Sequence, residues 1–321
     1  MEIGNGNFAI GTYGGGINIL SSSGEIQRFR NESNNPKSLS NDRITHMVLG
    51  QNNTIWVATN GGGINHFDLA TKEFLRLPIK SKDIWSVLLT DDNFWFSTSE
   101  QGVGRISVED LNNKRYSVEY FGEKQGLASN FAYGLLTSGN GYIWLSTSKG
   151  ISFISPENEK IINFDTSHGL QSKDFNSSAF FQSKEGRIFF GGSNGFNTFI
   201  SNNVPMNLHK PRLVLTEFNR MNESIPIHRA FNSEGQIELD AGQTYFGFSF
   251  AALDYTKPEY NLYQHRFEGS GNEWIDLTNS NQVNFSNLAN GYYVFQVRGS
   301  NNDGIWSDDI LEIPILVNPP F

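Results

Sequence analysis

At 321 residues the chain is long enough for two domains of ordinary size, each with its own core, and its formal net charge of −9, with Lys and Arg scattered along it, argues against nucleic acid or an anionic membrane as a partner. Charged residues make up 18%, hydrophobic residues 37% and aromatic residues 13%, with 32 glycines, which points to a turn-rich β-protein rather than a helical one. The lack of cysteine excludes a disulfide framework and a thiolate metal site, no run approaches the roughly 18 apolar residues of a membrane helix, and Met1-Glu-Ile-Gly4 has neither the basic nor the apolar region of a secretion signal.

The first predicted strand, Phe8-Ala-Ile-Gly-Thr12, is the opening instance of a phrase that returns as Ile55-Trp-Val-Ala-Thr59, Phe94-Trp-Phe-Ser-Thr98, Ile143-Trp-Leu-Ser-Thr147 and Ile188-Phe-Phe-Gly-Gly192. After each come glycine and a second apolar strand, as in Gly61-Gly-Gly-Ile-Asn65, Gly102-Val-Gly-Arg-Ile106, Gly150-Ile-Ser-Phe153 and Gly195-Phe-Asn-Thr-Phe199. The aromatics Trp56, Trp95, Trp144 and Phe189 fall about 39, 49 and 45 residues apart, near the ~40–50 of propeller blades. One unit reads as four short strands, around 44–49, 54–59, 63–68 and 73–77, so it forms a four-stranded antiparallel blade. Such a sheet has two apolar faces and buries both only by stacking on neighbours. Trp56, Trp95 and Trp144 are therefore expected in the inter-blade core, and Thr59, Thr98 and Thr147 in structural roles. The clusters Tyr13-Gly-Gly-Gly16 and Asn60-Gly-Gly-Gly63 lack the following helix and the Lys of a phosphate loop, and read as tight turns at positive φ.

Five units can be counted, the first without its innermost strand and the last without a clear outermost one. Closed propellers use about four to eight blades. The array is thus either a small ring or an incomplete one, and an open array would expose an apolar blade face that should pair with another molecule. The chain begins in mid-repeat and ends at Asn318-Pro-Pro-Phe321 directly after a strand, so it is expected to be part of a longer protein.

From residue 205 the repeat gives way to alternating strands at 212–218, 235–239, 245–251, 263–268, 273–277, 282–285, 292–298 and 310–317, separated by Gly, Asn and Pro turns. This is the pattern of an immunoglobulin-like β-sandwich. The expected organisation is propeller repeats over 1–204 and a sandwich over 205–321. Tyr255, Tyr263, Tyr292 and Tyr293 are expected as core or corner tyrosines.

Taken together, these phrases resemble the periplasmic regions of hybrid two-component sensors, whose propeller repeats carry Gly-Leu-x-Ser-Asn before an acidic turn and an Ile-Trp-x-x-Thr strand. Here the phrase stands as Gly126-Leu-Ala-Ser-Asn130 followed by Gly139-Asn-Gly-Tyr-Ile-Trp144, and more loosely as Leu39-Ser-Asn-Asp42 and Gly169-Leu-Gln-Ser172. The repeat centred on Trp95 departs, with Lys80-Ser-Lys-Asp83 instead. Asp174-Phe-Asn-Ser-Ser-Ala-Phe-Phe181 to Phe190-Gly-Gly-Ser-Asn-Gly-Phe196 is similar to the family's last blade. The second half resembles the triple-tyrosine (Y_Y_Y) immunoglobulin-like domain through Phe248-Ser-Phe-Ala-Ala-Leu-Asp-Tyr255, Tyr263-Gln-His-Arg-Phe-Glu-Gly269 with Trp274, Leu288-Ala-Asn-Gly-Tyr-Tyr-Val-Phe295 and Ser300-Asn-Asn-Asp-Gly-Ile-Trp306. The resemblance implies a periplasmic location, a downstream membrane helix as the link to the membrane, and a cytoplasmic output domain, usually a histidine kinase and sometimes a diguanylate cyclase. It also implies a ligand such as an oligosaccharide and self-association into a dimer in the full receptor.

Residues that vary between repeats on the innermost strands, Arg43, Trp85, Asn130 and Tyr133, are the candidate ligand contacts. No cofactor is expected. His46, His66, His168, His209, His228 and His265 show no HxH or HExxH spacing, which argues against zinc. Asp91-Asp92 and Asp308-Asp309 read as solvated turn residues rather than a calcium loop. No Gly-x-Ser-x-Gly elbow is present, and a glycosidase pair cannot be picked by spacing among 33 acids. The leading expectation is therefore a sensing region without catalysis of its own. The rivals are a propeller-type carbohydrate-active enzyme, a lyase or glycosidase, and an adhesion or scaffolding propeller.

Overall fold

Alternating apolar residues on either side of a glycine turn form hairpins, and in the computed structural model each repeat is such a hairpin extended by one or two strands. The structure describes residues 1–157, 159–201, 207–221, 223–240, 245–268, 273–277, 280–286 and 288–319. The chain divides into two units, Met1–Val204 and Pro205–Phe321. The sequence change expected at Pro205, and Pro320 and Phe321 of the terminal Pro-Pro-Phe, lie outside the described residues, as does Gly269.

The first unit consists of five antiparallel sheets. Blade 1 holds β1 (Phe8–Thr12), β2 (Gly16–Leu20) and β3 (Ile26–Phe29); blade 2 holds β4 (Ile44–Leu49), β5 (Thr54–Thr59), β6 (Gly63–Asp68) and β7 (Phe74–Arg76). Blade 3 holds β8 (Ile84–Leu89), β9 (Asn93–Thr98), β10 (Val103–Ser107) and β11 (Glu119–Phe121), with a short helix α1 (Val108–Asn112) inserted before β11. Blade 4 holds β12 (Ala132–Thr137), β13 (Ile143–Thr147), β14 (Gly150–Ile154) and β15 (Ile161–Phe164); blade 5 holds β16 (Phe175–Gln182), β17 (Arg187–Gly192) and β18 (Gly195–Ile200). Among the described residues blade 1 lacks the innermost strand and blade 5 the outermost.

The repeated tryptophans join neighbouring blades. Trp56 is buried with Ile84, Val87 and Phe94 of blade 3, and Trp95 with Ala132, Leu135 and Ile143 of blade 4. Trp144 lies 4.7 Å, ring to ring, from Phe199 of blade 5. The repeated threonines close the turn behind them: the hydroxyls of Thr12, Thr59, Thr98 and Thr147 donate to the carbonyls of Gly16, Gly63, Gly102 and Gly150 at 3.1, 2.8, 3.0 and 3.0 Å. The glycines latch one blade to the next. Gly61 and Gly63, at φ 95° and 77°, aim both N–H groups at the Lys82 carbonyl at the start of blade 3, 3.0 and 2.8 Å away, a geometry that a side chain at positive φ would oppose. Gly14 and Gly16 do the same to Asp42 of blade 2 at 3.0 Å each. Asparagines hold the loops that enter the innermost strands: the Oδ1 atoms of Asn65, Asn163 and Asn197 accept the N–H groups of Ser40, Ala128 and Gln171 at 2.9, 3.0 and 3.0 Å.

Both terminal blades leave one apolar face uncovered. On blade 1 the cross-strand row Phe8, Leu20, Ile26 lies beside Ile10, with Phe8 and Ile10 each 44% exposed. On blade 5 the rings of Phe181, Phe189 and Phe196 follow one another at 6.0 and 6.1 Å, and Phe181 and Phe196 are 62% and 64% exposed. Each is the kind of surface that inner blades bury. Light scattering of the 321-residue chain is therefore expected to give a mass above its 36.0 kDa, and the double variant Phe181→Gln/Phe196→Gln is expected to lower it. A chain that stays monomeric across concentrations would argue against this.

The second unit contains β19 (Leu213–Arg220), β20 (Glu223–Ile225), β21 (Ile237–Leu239), β22 (Tyr245–Ala252), β23 (Tyr263–Phe267), β24 (Ile275–Leu277), β25 (Gln282–Ser286), β26 (Gly291–Gly299) and β27 (Leu311–Val317). They form two sheets in the orders β20-β19-β22-β25 and β21-β27-β26-β23-β24, which enclose a phenylalanine-rich core of Phe218, Phe246, Phe248, Phe250 and Phe295. On the second sheet the guanidinium groups of Arg266 and Arg298 both lie over the Trp274 ring, 4.4 and 4.5 Å from its centre. Tyr263 is buried and its hydroxyl accepts the Ala252 N–H at 3.0 Å, while Tyr293 donates to the Ala289 carbonyl at 3.0 Å. The other two tyrosines correct the sequence reading. Tyr255 is 81% and Tyr292 61% exposed; Tyr292 precedes Tyr293 in one strand, so the two must point to opposite faces.

Candidate ligand site

Every innermost strand of the first unit slips register at about the same place. The shift falls between Ile44 and His46 in β4, Ile84 and Ser86 in β8, Ala132 and Leu135 in β12, and Phe175 and Phe180 in β16. A bulge leaves a residue outside the ladder and re-aims its side chain. Thr45, Trp85 and Tyr133 are the residues so released, in three consecutive blades, and the four strands lie side by side in the order β4, β8, β12, β16.

Trp85, Phe131 and Tyr133 form one aromatic cluster. The Trp85 ring lies 5.9 Å from Phe131 and 6.4 Å from Tyr133, and Phe131 and Tyr133 are 4.9 Å apart. The Tyr133 hydroxyl donates to Asp174 Oδ1 at 3.3 Å. Partial burial, then the Asp174 charge and this hydrogen bond, hold the phenol above its ordinary pKa, so it stays a donor. The Trp85 Nε1–H is buried with no acceptor among the described residues. Leaving such a donor unpaired costs about 1–3 kcal/mol. A donor without a partner, an aromatic surface and a carboxylate beside a phenol suit a ligand that is apolar on one face and hydroxylated on another.

The strand opposite is the most distorted. In β16 the five steps from Phe175 to Phe180 face two from Gly192 to Phe190, and Ser178 adopts a left-handed φ of 62°, a conformation that stores strain in a residue with a side chain. The Ser178 hydroxyl reaches the Thr45 carbonyl at 3.5 Å, and Phe180 meets the His46 ring at 5.1 Å. A Cβ on Gly134 would stand 2.3 Å from the Phe180 ring, so glycine is what lets Phe180 rest on β12. His46 Nδ1 lies 3.1 Å from the Val87 carbonyl, and burial pushes its pKa down to about 4.

Of the four candidate contacts, Trp85 and Tyr133 come together and Arg43 and Asn130 do not join them. Asn130 is used by its own loop: Oδ1 accepts the Glu123 N–H at 2.9 Å and Nδ2 reaches the Glu123 carboxylate at 3.4 Å. Arg43 is exposed, bridges Tyr13 through its backbone, and holds its guanidinium 3.0 Å from where a Gly61 Cβ would stand. Phe131, Asp174, Thr45 and Phe180 escaped the sequence reading. The phase of the innermost strands carried the signal, since Thr45, Trp85, Tyr133 and Asn176 each follow the buried residue that opens the strand, Ile44, Ile84, Ala132 and Phe175. Among the described residues no three His, Cys, Asp or Glu side chains are grouped to hold a metal.

Comparison with known proteins gives three findings. Residues 254–318 match the Y_Y_Y domain family. The chain is similar to histidine kinase P4 of Formosa agariphila, at 24% identity over 324 residues that cover 96% of this chain and 23% of that kinase. The chain thus spans about a quarter of that relative's length. Among solved structures, the extracellular domain of a protein assigned to the hybrid two-component systems of B. thetaiotaomicron superimposes with a TM-score of 0.75 at 24% identity, covering 99% of this chain and 44% of that one.

Proposed function

We propose that this chain, whose residues 254–318 are a Y_Y_Y domain carried behind propeller blades, is the periplasmic sensing region of a transmembrane two-component receptor. It binds an oligosaccharide or similar small ligand and catalyses nothing itself. The output, a histidine kinase or less commonly a cyclase, lies elsewhere in the receptor, and ligand binding biases it by favouring one arrangement of two receptor chains over another. The observation that carries the reading is the orphaned Trp85 Nε1–H within the Trp85–Phe131–Tyr133 cluster, where four innermost strands bulge together. Similarity to a histidine kinase and the fold shared with the extracellular domain of a hybrid two-component system protein support it.

A thermal-shift screen of the chain against oligosaccharides tests this. A ligand at about 100 times its Kd stabilises the native state by roughly 2.7 kcal/mol. The expected result is a shift with the sugar recovered intact, abolished by Trp85→Ala and weakened by Asp174→Asn, with the unliganded melting curve of Asp174→Asn unchanged. A shift indifferent to both substitutions would move the site elsewhere, and a cleaved sugar would make the chain an enzyme.

A further inference from the structure

Between blades 2 and 3, beyond the bulged segments of the ligand site and at the far end of β8, lies a pocket of about 120 Å³ that an inserted helix helps to line. Helix α1 is the only helix placed between the third and fourth strands of a blade among the described residues. Ser107 caps it, accepting the Asp110 N–H at 3.0 Å, and the Val108 N–H is tied to the Asp92 carbonyl at 2.8 Å. The helix thereby presents Val108 and Leu111, which with Leu89 make an apolar wall.

The rest of the lining is polar and uncharged. Gln51, Asn52 and Asn112 bring three amides, each both donor and acceptor. Trp56 and His66 are stacked at 4.0 Å, 16° from parallel. The imidazole tautomer is fixed by its neighbours: the Thr54 hydroxyl spends its proton on the Gln51 carbonyl at 2.6 Å, so it accepts from His66 Nε2–H at 2.8 Å and leaves Nδ1 bare as an acceptor. Burial lowers the His66 pKa, with Asp68 opposing, which keeps the ring neutral at pH ~7. In a chain with 57 charged side chains, no Lys, Arg, Asp or Glu among the described residues lines this pocket. Phosphates, sugar acids and ammonium compounds would find no countercharge there. At about 120 Å³, against about 150 Å³ for an engineered cavity that takes benzene, the partly open pocket has room for no more than one six-membered ring.

We infer that the pocket is a second small-molecule site, for one neutral hexose ring, whose C–H face lies on Leu89, Val108 and Leu111 and whose hydroxyls meet the amides of Gln51, Asn52 and Asn112. The test is saturation-transfer NMR on the 321-residue chain with D-glucose and D-galactose, and with D-glucuronate as the charged counterpart. Expected is transfer to the neutral sugars and little to glucuronate. The signal should persist in the Trp85→Ala background, where the ligand site no longer contributes, and filling the pocket there with Leu111→Trp should reduce it about tenfold or more. Should Leu111→Trp fail to fold, Asn112→Asp at an exposed position puts a charge on the rim and should likewise suppress the transfer. No transfer to either neutral hexose, transfer that survives both pocket variants, or transfer lost only with Trp85→Ala would each overturn the assignment. The last of these would leave the sensing site standing.

Discussion

Trp95→Ala is expected to destabilise the blade array by about 3–5 kcal/mol, the range for emptying a large aromatic site in a packed core. Trp95 is fully buried in β9, where it meets Phe121 at 5.6 Å, lies under the Arg105 guanidinium at 5.4 Å, and shares a cluster with Leu135, Ile143 and Leu145 of the next blade. Its removal therefore opens a void where two sheets meet, which neither can fill by moving alone. Trp144→Phe at the equivalent position should be far milder. Its indole N–H is buried without an acceptor among the described residues, and losing an unsatisfied donor offsets part of the lost packing. Urea denaturation measures both. A Trp95→Ala loss below about 1 kcal/mol would mean that the blades are not held together through these tryptophans.

Acid should weaken the first unit through His46, and His46→Gln should remove much of the effect. In the fold the imidazole is packed against Phe180 and the Val87 peptide group, and burial takes its pKa from 6.5 to about 4. An unfolded chain binds the proton below pH 6.5, whereas the folded chain does not until about 4. The stability this neutral histidine contributes is thus complete above 6.5 and lost as pH falls toward 4, in all about 3 kcal/mol. Burial lowers the pKa values of His66 and His265 too, so the variant should flatten the pH dependence without abolishing it. The measurement is the unfolding free energy of both proteins at about pH 7 and about pH 4.5; parallel curves would show that His46 is not buried in its neutral form.

Much of the architecture was legible because it rests on period and chemistry that repeat. The Trp56, Trp95 and Trp144 phrases fixed the second strand of each blade, and the strand over 63–68 falls on the residues expected. Glycine turns and threonines could be assigned structural roles from their recurrence. The aromatic cluster of the candidate site was half legible. Trp85 and Tyr133 stood out as variable positions in a regular strand, but a bulge is a property of pairing between two strands and leaves no period of its own. Asp174 and Phe180 belong to the blade whose innermost strand departs furthest from the others, so repeat logic failed there first. Asn130 stands at a strand entry shared with the loop before it, and its side chain is bonded to Glu123 of that loop. Helix α1 is a single turn, too short for a periodic signal; only Ser107 ahead of Asp110 hinted at a cap. Tyr255 sits beyond the end of β22, where alternation no longer says which way a side chain faces.

The arrangement of β27 has a mechanical consequence. This strand is hydrogen-bonded on both sides, antiparallel to β26 from Leu311 to Val317 and parallel to β21 from Ile315 to Val317. Its N–H and C=O groups lie across the strand direction. Tension applied at the Val317 end along that direction therefore loads these bonds together in shear, rather than peeling them one at a time as a pull on a hairpin tip would. A displacement reaching the end of the sandwich can then be passed on as rigid travel of the sheet, and the unit should resist stretching far better than its modest size suggests.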